Sequence, residues 1–207
     1  PVILIVIQLP ILAYALVAGV FLAFSDFIMR SLALTGGGGG VEAMQVINRE
    51  VFRWVFMALF LGMAAASVLI AAYAWFAVSG PAGTLIGFAA LVYLIGCFGV
   101  TVVFNVPMNE ALADMDLTSD ATRDYWSRTY VPRWTFWNSV RTGAAALAAA
   151  LMLFGLLWVT QGQPRPRLLV VSERLGGRFQ SVIHRAVESC VAGDALSRAG
   201  LGQGYFV

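Results

Sequence analysis

Four uncharged apolar runs, residues 2–24, 54–78, 82–106 and 142–159, constrain this chain more than any other feature. Each approaches the roughly 20 residues that cross about 30 Å of hydrocarbon. Hydrocarbon offers the backbone no partners, so each run must satisfy its own amides, which it does as a helix. The predicted fold is therefore all-α: a polytopic membrane protein built on a four-transmembrane-helix bundle. Composition agrees. Hydrophobic residues make up 60% of the chain and charged residues 12%, against about 25% charged in an ordinary soluble domain. The net charge of +2 is spread thinly and gives no nucleic-acid signal. The first run exceeds the roughly 7–15 residues of a signal-peptide core, so it is expected to stay as a span, with Pro1 as a mature start.

The connections are unequal. Ser79, Gly80 and Pro81 form a tight turn that makes the second and third spans an antiparallel hairpin. Residues 25–53 and 107–141 form two long connections on one side of the membrane, opposite both termini. Asn48-Arg49 in the first loosely echoes Asn138 and Arg141 in the second, a hint of duplication. Five consecutive glycines after Thr35 read as a flexible linker. Beyond them, 41–53 has helical spacing, with Met44, Ile47 and Val51 on one stripe and Glu42, Gln45 and Arg49 on another. That helix is expected to lie over the bundle's end. Asp26 and Arg30 stand at ion-pair spacing. Gly62 with Ala66, Gly96 with Gly99, and the alanine-rich stretch from Gly143 mark close helix packing, and Gln8 is expected to bond between helices. Residues 1–160 thus form the membrane domain. Residues 161–207 form an extramembrane tail with an amphipathic helix over about 178–192.

Chemistry has few places to live. The single histidine, His184, lies in the tail and no Cys/His cluster exists, so the usual ligand sets of zinc, copper or haem are missing. Asp114, Asp116, Asp120 and Asp124 match no calcium loop and read as solvated. Ser139 has no histidine within the membrane portion to activate it. What remains is a set of amides, aromatics and one arginine at the membrane boundary. Asn105 and Asn109 lie one turn apart, with Pro107 opening the backbone between them. Trp134, Asn138 and Arg141 share one face at i, i+4 and i+7, and Gln45 and Asn48 come from the first connection. Amides near hydrocarbon are costly unless paired. They form either a hydrogen-bonded network capping the bundle or the lining of a ligand pocket.

At these residues the chain resembles a family of small four-helix membrane proteins whose named members are anthrone oxygenases. The matching pieces are Gly19-Val20-Phe21-Leu22-Ala23-Phe24-Ser25 with Met29, Ala43-Met44-Gln45 with Ile47-Asn48-Arg49, Phe104-Asn105 with Pro107 and Asn109, and Trp134 with Trp137-Asn138 and Arg141-Thr142. They cover 19–142 and leave out the tail. The resemblance implies oxidation of an anthrone-type polyphenol to an anthraquinone by dioxygen, without a metal or organic cofactor. Such a site needs a base, oxyanion donors and an aromatic-walled pocket. Arg141, Asn138, Asn105 and Asn109 would supply donors, Trp134 and Tyr130 walls, and Gln45 and Asn48 further substrate contacts. Many relatives carry histidine after the asparagine where this chain has Ser139, so Asp26 or Glu110 would serve as base.

Two functions follow as expectations. One is oxidation of a phenolic or quinone-like planar ligand. The alternative is a non-catalytic accessory or assembly subunit of a larger membrane complex or homo-oligomer, contacting partners through the tail and the aromatic spans. A lipid or small-molecule carrier ranks third. The expected setting is lipid of a bacterial inner membrane, with cytoplasmic termini because Arg165 and Arg167 follow the last span.

Overall fold

The computed structural model describes residues 2–161, together with Gln180, Ser181 and His184. Apart from those three positions, the expected tail helix lies outside the described residues. The described chain is helical, without strands. Helix α1 covers 2–34, α2 Gly39–Glu50, α3 Trp54–Ala77, α4 Gly80–Ala113 and α5 Asp120–Gln161. All but α2 are long and apolar enough to cross a bilayer, so this is an integral membrane protein. The longest interfaces are those of α5 with α1 and with α4; α3 packs on α4 and touches α1 more lightly. Contacts between α3 and α4 run along Gly80–Val92 and Tyr93–Gly99 and thin out towards Thr101–Asn105.

Helices α4 and α5 overrun the apolar spans, leaving only 114–119 as loop between them. Ser119 explains the early start of α5: its hydroxyl accepts the Ala121 N–H at 3.1 Å, capping the first turn. Nearby, the N–H and hydroxyl of Thr118 both donate to the exposed Asp116 carboxylate at 2.9 Å and hold it below the usual carboxylate range. Pro107 does not open the backbone as its position suggests. The helix passes through it, because the wider π turn at Thr101–Asn105 absorbs the mismatch that proline brings. A π turn at Trp126–Tyr130 likewise precedes Pro132, and another spans Phe24–Ile28 in α1.

The glycine run is not a loose linker. Gly36, Gly37 and Gly38 turn the chain, the last two with φ of +64° and +80°, and Gly39 and Gly40 are already in α2. A Cβ on Gly40 would overlap the Leu32 carbonyl, so glycine is what lets α2 fold tightly back on α1.

Mid-bundle, Tyr14, Val17, Phe60, Tyr93, Ala145 and Ala148 are buried together. Tyr14 and Ser67 hydroxyls meet at 2.6 Å, Ser67 donates to the Met63 carbonyl at 2.6 Å, and Tyr93 donates to the Phe60 carbonyl at 3.1 Å. These bonds join α1, α3 and α4. Gly96 lets α4 approach α5, since a Cβ there would stand 2.7 Å from Ala144. Gly62 and Gly143 face open space, so the small-residue pattern overstates their part. Gln8 is exposed, and among the described residues it bonds to no other helix. Exposed ion pairs join Arg53 to Glu50, Arg123 to Asp120 and Arg128 to Asp124; Asp26 and Arg30 do not pair with each other. The Asn48-Arg49 echo ends at the sequence, because Arg49 is exposed and Arg141 is buried.

Candidate functional site

The two long connections meet over one end of the bundle. Val41 and Met44 of α2 are buried against Leu112, Trp126, Tyr130 and Trp134. Gln45 fastens this contact: its Nε2 donates to the carbonyls of Leu112 at 2.8 Å and Met115 at 3.1 Å, where α4 ends. Asn48 donates to the Tyr130 hydroxyl at 3.4 Å. Tyr130 in turn donates to Asn109 Oδ1 at 2.8 Å, and Trp134 Nε1 donates to the same oxygen at 2.8 Å. The π turn and the i+4 spacing stack Trp126, Tyr130 and Trp134 in a column, with centroids 5.3 and 6.2 Å apart. Asn105 reaches the Trp134 carbonyl at 3.3 Å, while its own Oδ1 is buried without a partner.

Arg141 lies deeper, one turn beyond Asn138, and only 4% of it is exposed. Its Nη2 donates to Asn138 Oδ1 at 2.6 Å and its Nη1 to Thr101 Oγ1 at 3.3 Å; its Nε has no partner. Asn138 is held from behind, donating to the Phe21 carbonyl at 2.6 Å and Ser25 Oγ at 2.7 Å. The guanidinium lies 4.2 Å from the Phe21 ring centroid and 5.2 Å from that of Trp134. Cation–π contact of this kind contributes roughly 0.5–2 kcal/mol. Among the described residues no carboxylate pairs with Arg141. Desolvating an ion costs several kcal/mol, and amide and ring contacts offset only part of that.

A cavity of about 200 Å³ opens beside this guanidinium. Phe21 and Phe24 of α1, Phe56 and Phe60 of α3, Phe98 of α4 and Trp134 of α5 make its walls aromatic. Its polar lining consists of Asn48, Thr101, Asn109 and Arg141. Phe24, Phe98 and Thr101 all sit in π turns, where the widened backbone re-aims side chains. Four residues expected from the sequence thus line the cavity: Asn48, Asn109, Trp134 and Arg141. Asn138 stands behind Arg141. Gln45, Asn105 and Tyr130 belong to the network around the cavity and not to its lining. Asp26 and Glu110 are exposed and outside the lining, and Ser139 is exposed with its hydroxyl 3.0 Å from that of Ser25. Capping network and pocket lining therefore coexist, sharing Asn48, Asn109 and Trp134.

Sequence reasoning missed the phenylalanines and Thr101. A signal was present: Phe52, Phe56 and Phe60 recur every fourth residue, one face of a helix. Among the described residues no three His, Cys, Asp or Glu side chains come together.

The family model described as anthrone oxygenase matches residues 48–151. The matched stretch holds Asn48, Asn109, Trp134, Asn138 and Arg141, whereas Phe21 and Phe24 precede it. No curated protein and no solved structure matches the chain.

Proposed function

The chain belongs to the anthrone oxygenase family, and from that premise we propose that it binds a planar phenolic or quinone-like molecule as its anion and oxidises it with dioxygen. The observation that carries this reading is Arg141: a buried cation with no carboxylate partner among the described residues, its Nε free, in the wall of an aromatic cavity. A phenolate or enolate oxygen would accept from that Nε and restore the missing charge partner. Phe21, Phe60 and Trp134 would hold the rings.

Oxidation then proceeds as follows. The ligand loses a proton, and its negative charge spreads from oxygen onto a ring carbon. That carbon passes electrons to dioxygen and couples with it; protonation gives a hydroperoxide, and loss of water leaves a new carbonyl. One oxygen atom enters the product and the other leaves as water. Because Asp26 and Glu110 stand outside the lining, the pull of Arg141 on the bound oxyanion drives ionisation and water, not a side-chain base, takes the proton. Asn138 is a positioning residue that fixes the guanidinium. The setting proposed is a bacterial inner membrane with cytoplasmic termini, supported by Arg165 and Arg167 after the last span.

Oxygen uptake by purified protein supplied with anthrone tests this, with anthraquinone as the measured product. Uptake above background that is lost in Arg141→Met is expected. An Arg141→Met protein as active as wild type would remove the site. If it also retained one stoichiometric partner, the accessory-subunit role would stand instead.

A further inference from the structure

We infer that the cavity is loaded sideways from the bilayer, through a mouth beside the first half of α3, and that its ligands are flat apolar molecules bearing one acidic hydroxyl. This rests on the reading of Arg141 as the anion site.

The two possible approaches to the cavity differ in character. Towards the connections it is roofed by α2, whose Met44 is buried and whose Gln45 is tied to two carbonyls of the α4 end. Opening that route breaks hydrogen bonds and exposes an apolar cluster. Towards the lipid, the exposed lining residues are Val20 of α1, Leu61 of α3 and Val102 of α4, while Phe52 is exposed in the turn that joins α2 to α3. Each is apolar, and Leu61 and Val102 are half exposed at 51% and 50%. The contacts of α3 with α4 thin out at this level, near Thr101–Asn105, so no tight helix seam closes the gap.

A rim without a polar group, set in membrane-spanning helices, offers water nothing and hydrocarbon everything. Volume points the same way. About 200 Å³ is below the roughly 300–1,000 Å³ of drug-sized ligand sites. A bicyclic body fits, and a longer fused-ring body would project through the mouth between Leu61 and Val102.

Chemistry sets the form in which the ligand travels. Hydrocarbon favours a neutral aromatic by about 0.8 kcal/mol per buried CH₂ equivalent and penalises its anion heavily. The ligand therefore enters as the neutral acid and ionises only on reaching Arg141. Its proton passes to water at the polar end of the cavity, where Asn48 and Asn109 are half-buried.

Exchange kinetics of 2-naphthol with the full-length protein in lipid nanodiscs test the mouth. Leu61→Trp and Val102→Trp, made separately so that each checks the other, narrow it, and Leu69→Trp, exposed further along α3, serves as control. Association and dissociation should both slow by about tenfold or more in the two mouth variants, with a much smaller change in affinity. The control should match wild type. Wild-type rates in both mouth variants would overturn the inference, as would lost affinity with unslowed dissociation. The O-methyl ether of 2-naphthol separates the two readings. If it binds wild type as well as 2-naphthol does, the anion site fails, whatever the rates show. If it binds about tenfold worse or more while the mouth variants exchange normally, the anion site stands and the mouth fails.

Discussion

The bundle buries polar groups at two levels and treats them differently. At mid-bundle, Tyr14, Ser67 and Tyr93 hand their hydrogen bonds to one another or to carbonyls of α3, and none of their polar atoms lacks a partner. Beneath α2, the network is denser, yet Asn105 Oδ1, Thr135 Oγ1 and Arg141 Nε are buried without partners. The first level shows what structure alone requires of a polar group in a membrane: closure. The second retains an open cation at an aromatic cavity, which is costly for a purely structural element and useful for one that takes up an anion.

Substitutions can break or sharpen this contrast. The largest effect is expected from Arg141→Met, which should weaken binding of a phenolic ligand by about 100-fold, from the loss of a charge-assisted bond. Resistance of the same protein to unfolding should hold or rise, by up to a few kcal/mol, as a buried unpaired charge is removed. Loss of binding and loss of stability together would make Arg141 structural. Asn138→Ala comes next. It frees the guanidinium and removes the bonds to the Phe21 carbonyl and Ser25 Oγ, so unfolding assays should show a loss of about 1–3 kcal/mol, with weaker ligand binding as well.

Gly40→Val tests the roof. Overlap with the Leu32 carbonyl should lift α2 at a cost of about 1–3 kcal/mol, read as faster hydrogen exchange in 39–50 with α5 unchanged. Tyr14→Phe is the smallest. Membrane hydrogen bonds average about 0.6 kcal/mol, so stability should fall slightly and ligand affinity should not move.

The fold was largely legible because a bilayer leaves an uncharged run of this length little choice but a helix. The converging residues Asn48, Asn109, Trp134 and Arg141 could be found for a related reason: amides and arginine stand out against an apolar background. What stayed hidden depended on packing. The glycines after Thr35 look like a linker until the approach of α2 to Leu32 is seen. Pro107 looks like a break because no sequence pattern announces the π turns before it. Asp26 and Glu110 carry the charge a base needs, but charge does not say which way a side chain points. Phe21 and Phe60 looked like ordinary span residues; only the missing wall between helices makes them a lining.

The absorption spectrum of bound 2-naphthol, taken in nanodiscs about one pH unit below its solution pKa, tests the anion site most directly. A cation facing the bound oxygen lowers that pKa, so wild type should show the naphtholate band and Arg141→Met only neutral naphthol. The neutral band in wild type, or the naphtholate band in both proteins, would contradict an anion site built on Arg141.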